Sequence, residues 1–90
     1  MDEINIEAHA KELVKLTIKM HKEKLLGKEN MSTFIKRNIN FNLNNNYDEF
    51  SHHYSRYLAK EGYEIKQNIN NFDIINYNSE EYQIYINNLN

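Results

Sequence analysis

A change of hydrophobic period at Gly62 limits what this chain can fold into more than any other feature. Before it, Tyr47, Phe50, Tyr54, Tyr57, Leu58 and Glu61 recur at helical spacing, and all but Glu61 are bulky and largely apolar. Asp48, Glu49, His52, Ser55, Arg56 and Lys60 fall mainly on the other side. Asn46 is a favoured N-cap residue with Glu49 three positions later, a capping-box arrangement with asparagine in the serine or threonine place. Asp48 and Glu49 also put negative charge at the positive end of the helix dipole. Gly62 suits the position just past a helix, where a left-handed backbone costs glycine little. Tyr63 and Leu58 are then the pair that touch in a Schellman stop. The spacing predicts a helix over 47–61.

After Gly62 the period is two. Tyr63, Ile65, Gln67 and Ile69 share one face, and Glu64, Lys66 and Asn68 the other. Asn70-Asn71 supplies a turn, since asparagine tolerates positive φ. Phe72 and Ile74 continue beyond it, with Ile75 and Tyr77 opposite. This predicts a hairpin of 63–69 and 72–77.

Upstream, residues from Asp2 to Leu26 read as a long helix. Ile6, Ala10, Leu13, Leu16, Thr17 and Met20 form its stripe, widened by Val14 and His21. Acids cluster at its start and lysines at its end, as the dipole favours. Gly27 is the expected stop. Lys11, Lys15, Lys19 and Lys22 line the outer face. Six lysines against six acids in residues 2–29 leave that region neutral, which favours a solvated face over an anion-binding stripe. Residues 32–38 suit a short helix, capped by Asn30 or Ser32, followed by an extended segment and the Asn44-Asn45-Asn46 run. Residues 79–89 fit a helix capped by Ser79, or a strand; their β-branched and aromatic content favours the strand. The expected fold is α+β: a long N-terminal helix, a short helix, a capped central helix, then a small antiparallel β-meander packed against the helices.

A chain of 90 residues suggests one small domain with a modest core. Its net charge of −2 gives no strong overall attraction to nucleic acid or anionic lipid. It has no cysteine, so disulfides and thiolate metal sites are excluded. No signal-peptide pattern and no apolar run of membrane-spanning length are present, so a cytoplasmic, non-membrane protein is expected. Sixteen asparagines, eleven isoleucines and seven tyrosines reflect AT-rich coding more than function.

Motifs for catalysis are missing. There is no Gly-x-Ser-x-Gly, and two glycines, both read as helix stops, leave nothing for a phosphate loop. No enzyme activity and no cofactor are expected. Adjacent His52 and His53 point about 100° apart on a helix. Glu49 and His52 make one Glu-x-x-His where di-metal bundles need two, so no metal site is expected. His9 and His21 lie beside the core face of the first helix and read as packing residues.

Two binding readings remain. The order of short helix, longer helix and hairpin fits the back half of a winged helix. His52, Ser55, Arg56 and Lys60 would then face DNA, with Lys36 and Arg37 reaching phosphate. Against this, residues 62–90 carry one lysine against Glu64, Asp73, Glu80 and Glu81, a net of −3 that repels phosphate. The preferred reading is a protein target. Tyrosine is enriched at interfaces, and Tyr77, Tyr82 and Tyr85 with Glu80 and Glu81 form the candidate surface. An edge strand near the C-terminus would also serve for homodimer formation. The general appearance is similar to small phage or mobile-element accessory proteins, many of which occupy a host machine stoichiometrically. That resemblance implies an inhibitor of a host nucleic-acid-processing or defence complex.

Overall fold

The computed structural model describes residues 5–89. Four helices and one hairpin follow in the order α1 (Ile6–Lys22), α2 (Met31–Asn38), α3 (Tyr47–Lys60), β1 (Tyr63–Gln67), β2 (Phe72–Asn76) and α4 (Glu80–Asn87). The α+β expectation holds. The third strand of the expected meander does not form, because residues 80–87 are helical.

Asn5 starts α1, its side chain accepting the Ala8 N–H at 3.0 Å. The expected start at Asp2 lies outside the described residues. The helix ends at Lys22, well before Gly27. Lys24 takes the left-handed conformation, φ 60°, that was expected of a glycine. Its N–H bonds His21 O at 3.0 Å and the Leu25 N–H bonds Met20 O at 2.9 Å, the two bonds of a Schellman stop. Gly27 lies in the following loop, where its N–H bonds Phe72 O at 3.0 Å.

A left-handed lysine carries strain that glycine lacks. Lys24→Gly is therefore expected to raise stability by up to about 1 kcal/mol, measured by denaturant melts. Gly62, at φ 93°, is the reverse case. An added Cβ there would meet nothing within 4 Å, so strain alone decides the outcome. Gly62→Ala is expected to cost about 1–2 kcal/mol.

Asn30 caps α2 through Thr33 N–H at 2.9 Å, the first of the two expected caps. Ile39 then turns extended. Asn44–Asn46 form a short 3-10 turn that runs straight into α3. Asn46 already has near-helical dihedrals and makes no side-chain cap, so the expected capping box with Glu49 is absent. The preceding turn supplies one of the two bonds the box would have made: Asn46 N–H bonds Leu43 O at 2.8 Å. At the far end, Gly62 N–H bonds Ala59 O at 3.0 Å, half of the expected stop.

The hairpin pairs Tyr63 with Asn76, Ile65 with Ile74 and Gln67 with Phe72. Its turn is longer than the expected Asn70-Asn71. Asn68 N–H bonds Asn71 O at 3.0 Å, and the Asn68 carboxamide oxygen accepts the N–H groups of Asn70 and Asn71. Ile69 consequently sits at the tip, 85% exposed, instead of continuing the inner face.

The core joins Ile6, Ala10, Leu13 and Val14 of α1, Phe34 and Ile35 of α2, Phe50, Tyr54 and Leu58 of α3, and Tyr63, Phe72 and Ile74 of the hairpin. Thr17 is its buried polar residue. The Thr17 hydroxyl donates to Leu13 O at 2.7 Å, which leaves the Tyr54 hydroxyl to donate to Thr17 Oγ1 at 2.6 Å. The first-helix stripe is thus nearly as expected, but Leu16 faces outward.

Ser79 decides the last segment. Its hydroxyl oxygen accepts the Tyr82 N–H at 3.1 Å, and its hydroxyl donates to Asn76 O at 2.7 Å. Glu80 and Glu81 occupy the first turn, where the dipole favours them. A third strand would need the outer edge of β2, and that edge is taken at Phe72. There the Phe72 N–H bonds Glu29 O at 2.9 Å, and Gly27 bonds the carbonyl. Strand propensity gives way to an available cap and an occupied edge.

Candidate functional site

α4 lacks any buried residue. Tyr82, Tyr85 and Ile86 are half-buried against the rest of the protein, and Ile84 and Leu89 are 62% and 64% exposed. Two apolar side chains left in water cost hydrophobic free energy that packing would recover. Glu80 and Glu81 are exposed at the head of the same helix.

Tyr77 and Tyr82 meet edge to face, with centroids 5.0 Å apart and planes at 82°. Partial loss of water, and then the charge of Glu64 on β1, hold the Tyr82 phenol above its ordinary range. The tyrosine is thus a neutral hydrogen-bonding group beside a carboxylate. The expected protein-binding residues Tyr77, Glu80, Glu81, Tyr82 and Tyr85 are therefore gathered on or beside α4. Sequence reasoning missed Ile84, Ile86, Leu89 and Glu64. On a helix Ile86 and Leu89 share the face of Tyr82 and Tyr85 while Ile84 points outward, and Ser79 with the Tyr82, Tyr85, Ile86, Leu89 spacing was the signal for that.

The alternative basic surface is less well assembled. His52, Ser55, Arg56 and Lys60 are all exposed on α3. Lys36 and Arg37 are exposed on α2, but Arg37 is committed to Glu29 through bonds of 2.9 Å from both Nε and Nη2. That pair holds the guanidinium charged still more firmly. Lys36 lies 5.9 Å from the Tyr47 ring centroid. Arg56 and Lys60 turn toward the Tyr57 ring, at 5.9 and 5.0 Å, and Lys11 of α1 joins them at 5.6 Å.

Tyr57 also donates its hydroxyl hydrogen to Glu7. This bond lowers the Glu7 pKa and raises that of Tyr57, and Glu7 further feels the charges of His53, Arg56 and Lys60. A carboxylate thus sits among the cations, which weakens their pull on phosphate. Beside them is a hollow of about 300 Å³ between α1 and α3, lined by Lys11, Val14, Lys15, Ile18, Tyr57 and Glu61.

The histidines are dispersed. His9 packs against Phe41 with centroids 4.6 Å apart and planes tilted at 57°, and His21 bonds Asp73 at 3.0 Å. His53 Nε2 is 3.9 Å from Glu49, and its buried Nδ1 has no partner among the described residues. No group of three or more His, Asp or Glu side chains able to hold a metal ion occurs among the described residues. None of the described helices is long and apolar enough to cross a membrane. The chain matches no protein-family profile, no curated protein and no solved structure.

Proposed function

We propose that the protein acts by stoichiometric binding to another protein through α4, without catalysis. The observation that carries this is a capped helix with no buried residue, bearing exposed Ile84 and flanked by exposed Leu89 and by Tyr77, which meets Tyr82 edge to face. Such a surface fits the central patch of an interface, where tyrosine and aliphatic anchors dominate binding energy. Its charge names the partner's chemistry. Glu64, Glu80 and Glu81 suit an apolar groove with a basic rim, and basic grooves are what proteins that handle nucleic acid present to phosphate. An acidic helix seated there would displace nucleic acid. This supports the expectation of an inhibitor of a host nucleic-acid-processing or defence complex, of the kind small phage or mobile-element proteins supply.

The test is capture from lysate of cells that make the protein, with paired variants. Tyr82→Ala and Tyr85→Ala are each expected to weaken retention of one partner by about 2 kcal/mol, roughly thirtyfold. Arg56→Ala and Lys60→Ala are expected to leave it unchanged. Excess duplex DNA should release the captured partner. Retention indifferent to both tyrosines would remove α4 from the interface.

The element order α1–α2–α3–hairpin, with Arg56 and Lys60 exposed on α3, favours a second reading as a winged-helix-like DNA-binding regulator. The hairpin tip of Asn68, Ile69, Asn70 and Asn71 carries no charge to meet a phosphate, which ranks this reading second. It predicts co-elution with duplex DNA at low salt, lost steeply as salt rises.

A further inference from the structure

The hairpin has two edges, and they are treated differently. The bonds that flank it, Tyr77 N–H to Gly62 O and Asn68 N–H to Asn71 O, fix the alternation of the ladder. Even-numbered residues of β1 pair with β2, so the N–H and C=O groups of Tyr63, Ile65 and Gln67 point away from it.

On the outer edge of β2 four of the six corresponding groups are occupied, the Ile74 carbonyl and the Asn76 N–H having no partner among the described residues. Phe72 is bonded by Gly27 and Glu29, the Ile74 N–H by the Asp73 carboxylate at 2.7 Å, and the Asn76 carbonyl by Ser79. On β1 the backbone groups of Tyr63, Ile65 and Gln67 have no hydrogen-bond partner among the described residues. Ile65 is half-buried and Gln67 exposed, so this edge reaches solvent. An open edge is a template for another strand.

The sequence of β1 selects which strand. We infer that β1 pairs antiparallel with β1 of a second copy of this chain, in the register that places Ile65 opposite Ile65. In that register Tyr63 and Gln67 face each other in both directions. All outward groups then meet partners as hydrogen-bonded pairs, giving a four-stranded sheet with a twofold axis. Glu64 falls opposite Lys66 twice, so unlike charges face each other at both ends of the contact. Neither residue has an ion-pair partner among the described residues. A slip by one residue would point inward-facing backbone groups at the partner, and a slip by two would lose the charge pairing. The inference concerns β1 alone and stands whether or not α4 binds a target.

Sedimentation of the full chain, from dilute solution to roughly 1 mM, tests it. The mass is expected to rise from 10.9 kDa toward twice that value, with the Ile65 and Gln67 amides gaining protection from exchange. Glu64→Lys alone and Lys66→Glu alone each put like charges at both crossings and are expected to weaken the dimer roughly tenfold. An equimolar mixture of the two restores both unlike pairs, and so restores association. Gln67→Pro keeps the ladder to β2, since that N–H points outward, and is expected to give a monomer. A wild-type chain that stays monomeric throughout overturns the inference. So does a dimer indifferent to these changes, or a mixture that fails to associate.

Discussion

Replacing Tyr54 with alanine is expected to lower the unfolding free energy by about 3–5 kcal/mol, the range for removing a buried aromatic ring. Tyr54 is fully buried, stacks near Phe50 with centroids 6.2 Å apart, and ties α3 to α1 through Thr17. Domains of this size hold only about 5–15 kcal/mol in total. Each kcal/mol moves the melting temperature by roughly 4–8 °C, so the variant should melt some tens of degrees lower in a circular-dichroism scan. Tyr54→Phe keeps the ring and loses one hydrogen bond, a cost of about 1 kcal/mol. The Thr17 hydroxyl still has Leu13 O as acceptor. A Tyr54→Ala variant that melts near the wild type would mean the core is not centred on this contact.

The same residue makes the fold sensitive to alkali. Burial drives the Tyr54 phenol far above its ordinary range. A phenol in the unfolded chain titrates near about pH 10. Because the folded pKa is the higher one, the stabilisation is complete below the unfolded value and is lost as pH rises toward the folded value. Stability is expected to fall by about 1.4 kcal/mol per pH unit once above about pH 10. Tyr54→Phe should remove that slope, leaving a shallower alkaline limb set by the remaining groups. Denaturant melts at stepped pH check this, and equal slopes in the two proteins would contradict it.

What could be read from the sequence depended on how many signals agreed. Around α3, Gly62 and the hairpin they agreed: apolar spacing, a glycine at the turn, and a clean switch to alternation. The structure keeps these elements and departs from the expectation in detail: a 3-10 turn replaces the cap at Asn46, only half of the stop at Gly62 forms, and the hairpin turn takes in Asn68 and Ile69. The end of α1 was hidden because Lys24 takes a left-handed conformation that residue type does not announce. The fate of 79–89 was hidden because its apolar residues fit both periods, Tyr82, Tyr85, Ile86 and Leu89 that of a helix and Tyr82, Ile84 and Ile86 that of a strand, with no fully buried position to favour one. Of the candidate residues, Tyr77, Glu80, Glu81, Tyr82 and Tyr85 could be named from composition alone. Their grouping with Glu64 depends on where β1 lies and on α4 being a helix.

The most direct test of binding through α4 is site-specific photo-crosslinking in living cells, with the crosslinker placed at Ile84 in one protein and at His52 on exposed α3 in another. The account predicts one discrete protein adduct from position 84, absent from position 52 and lost when Tyr82→Ala and Tyr85→Ala are added. An adduct with nucleic acid from position 52, and none from position 84, would contradict it and move the function to α3.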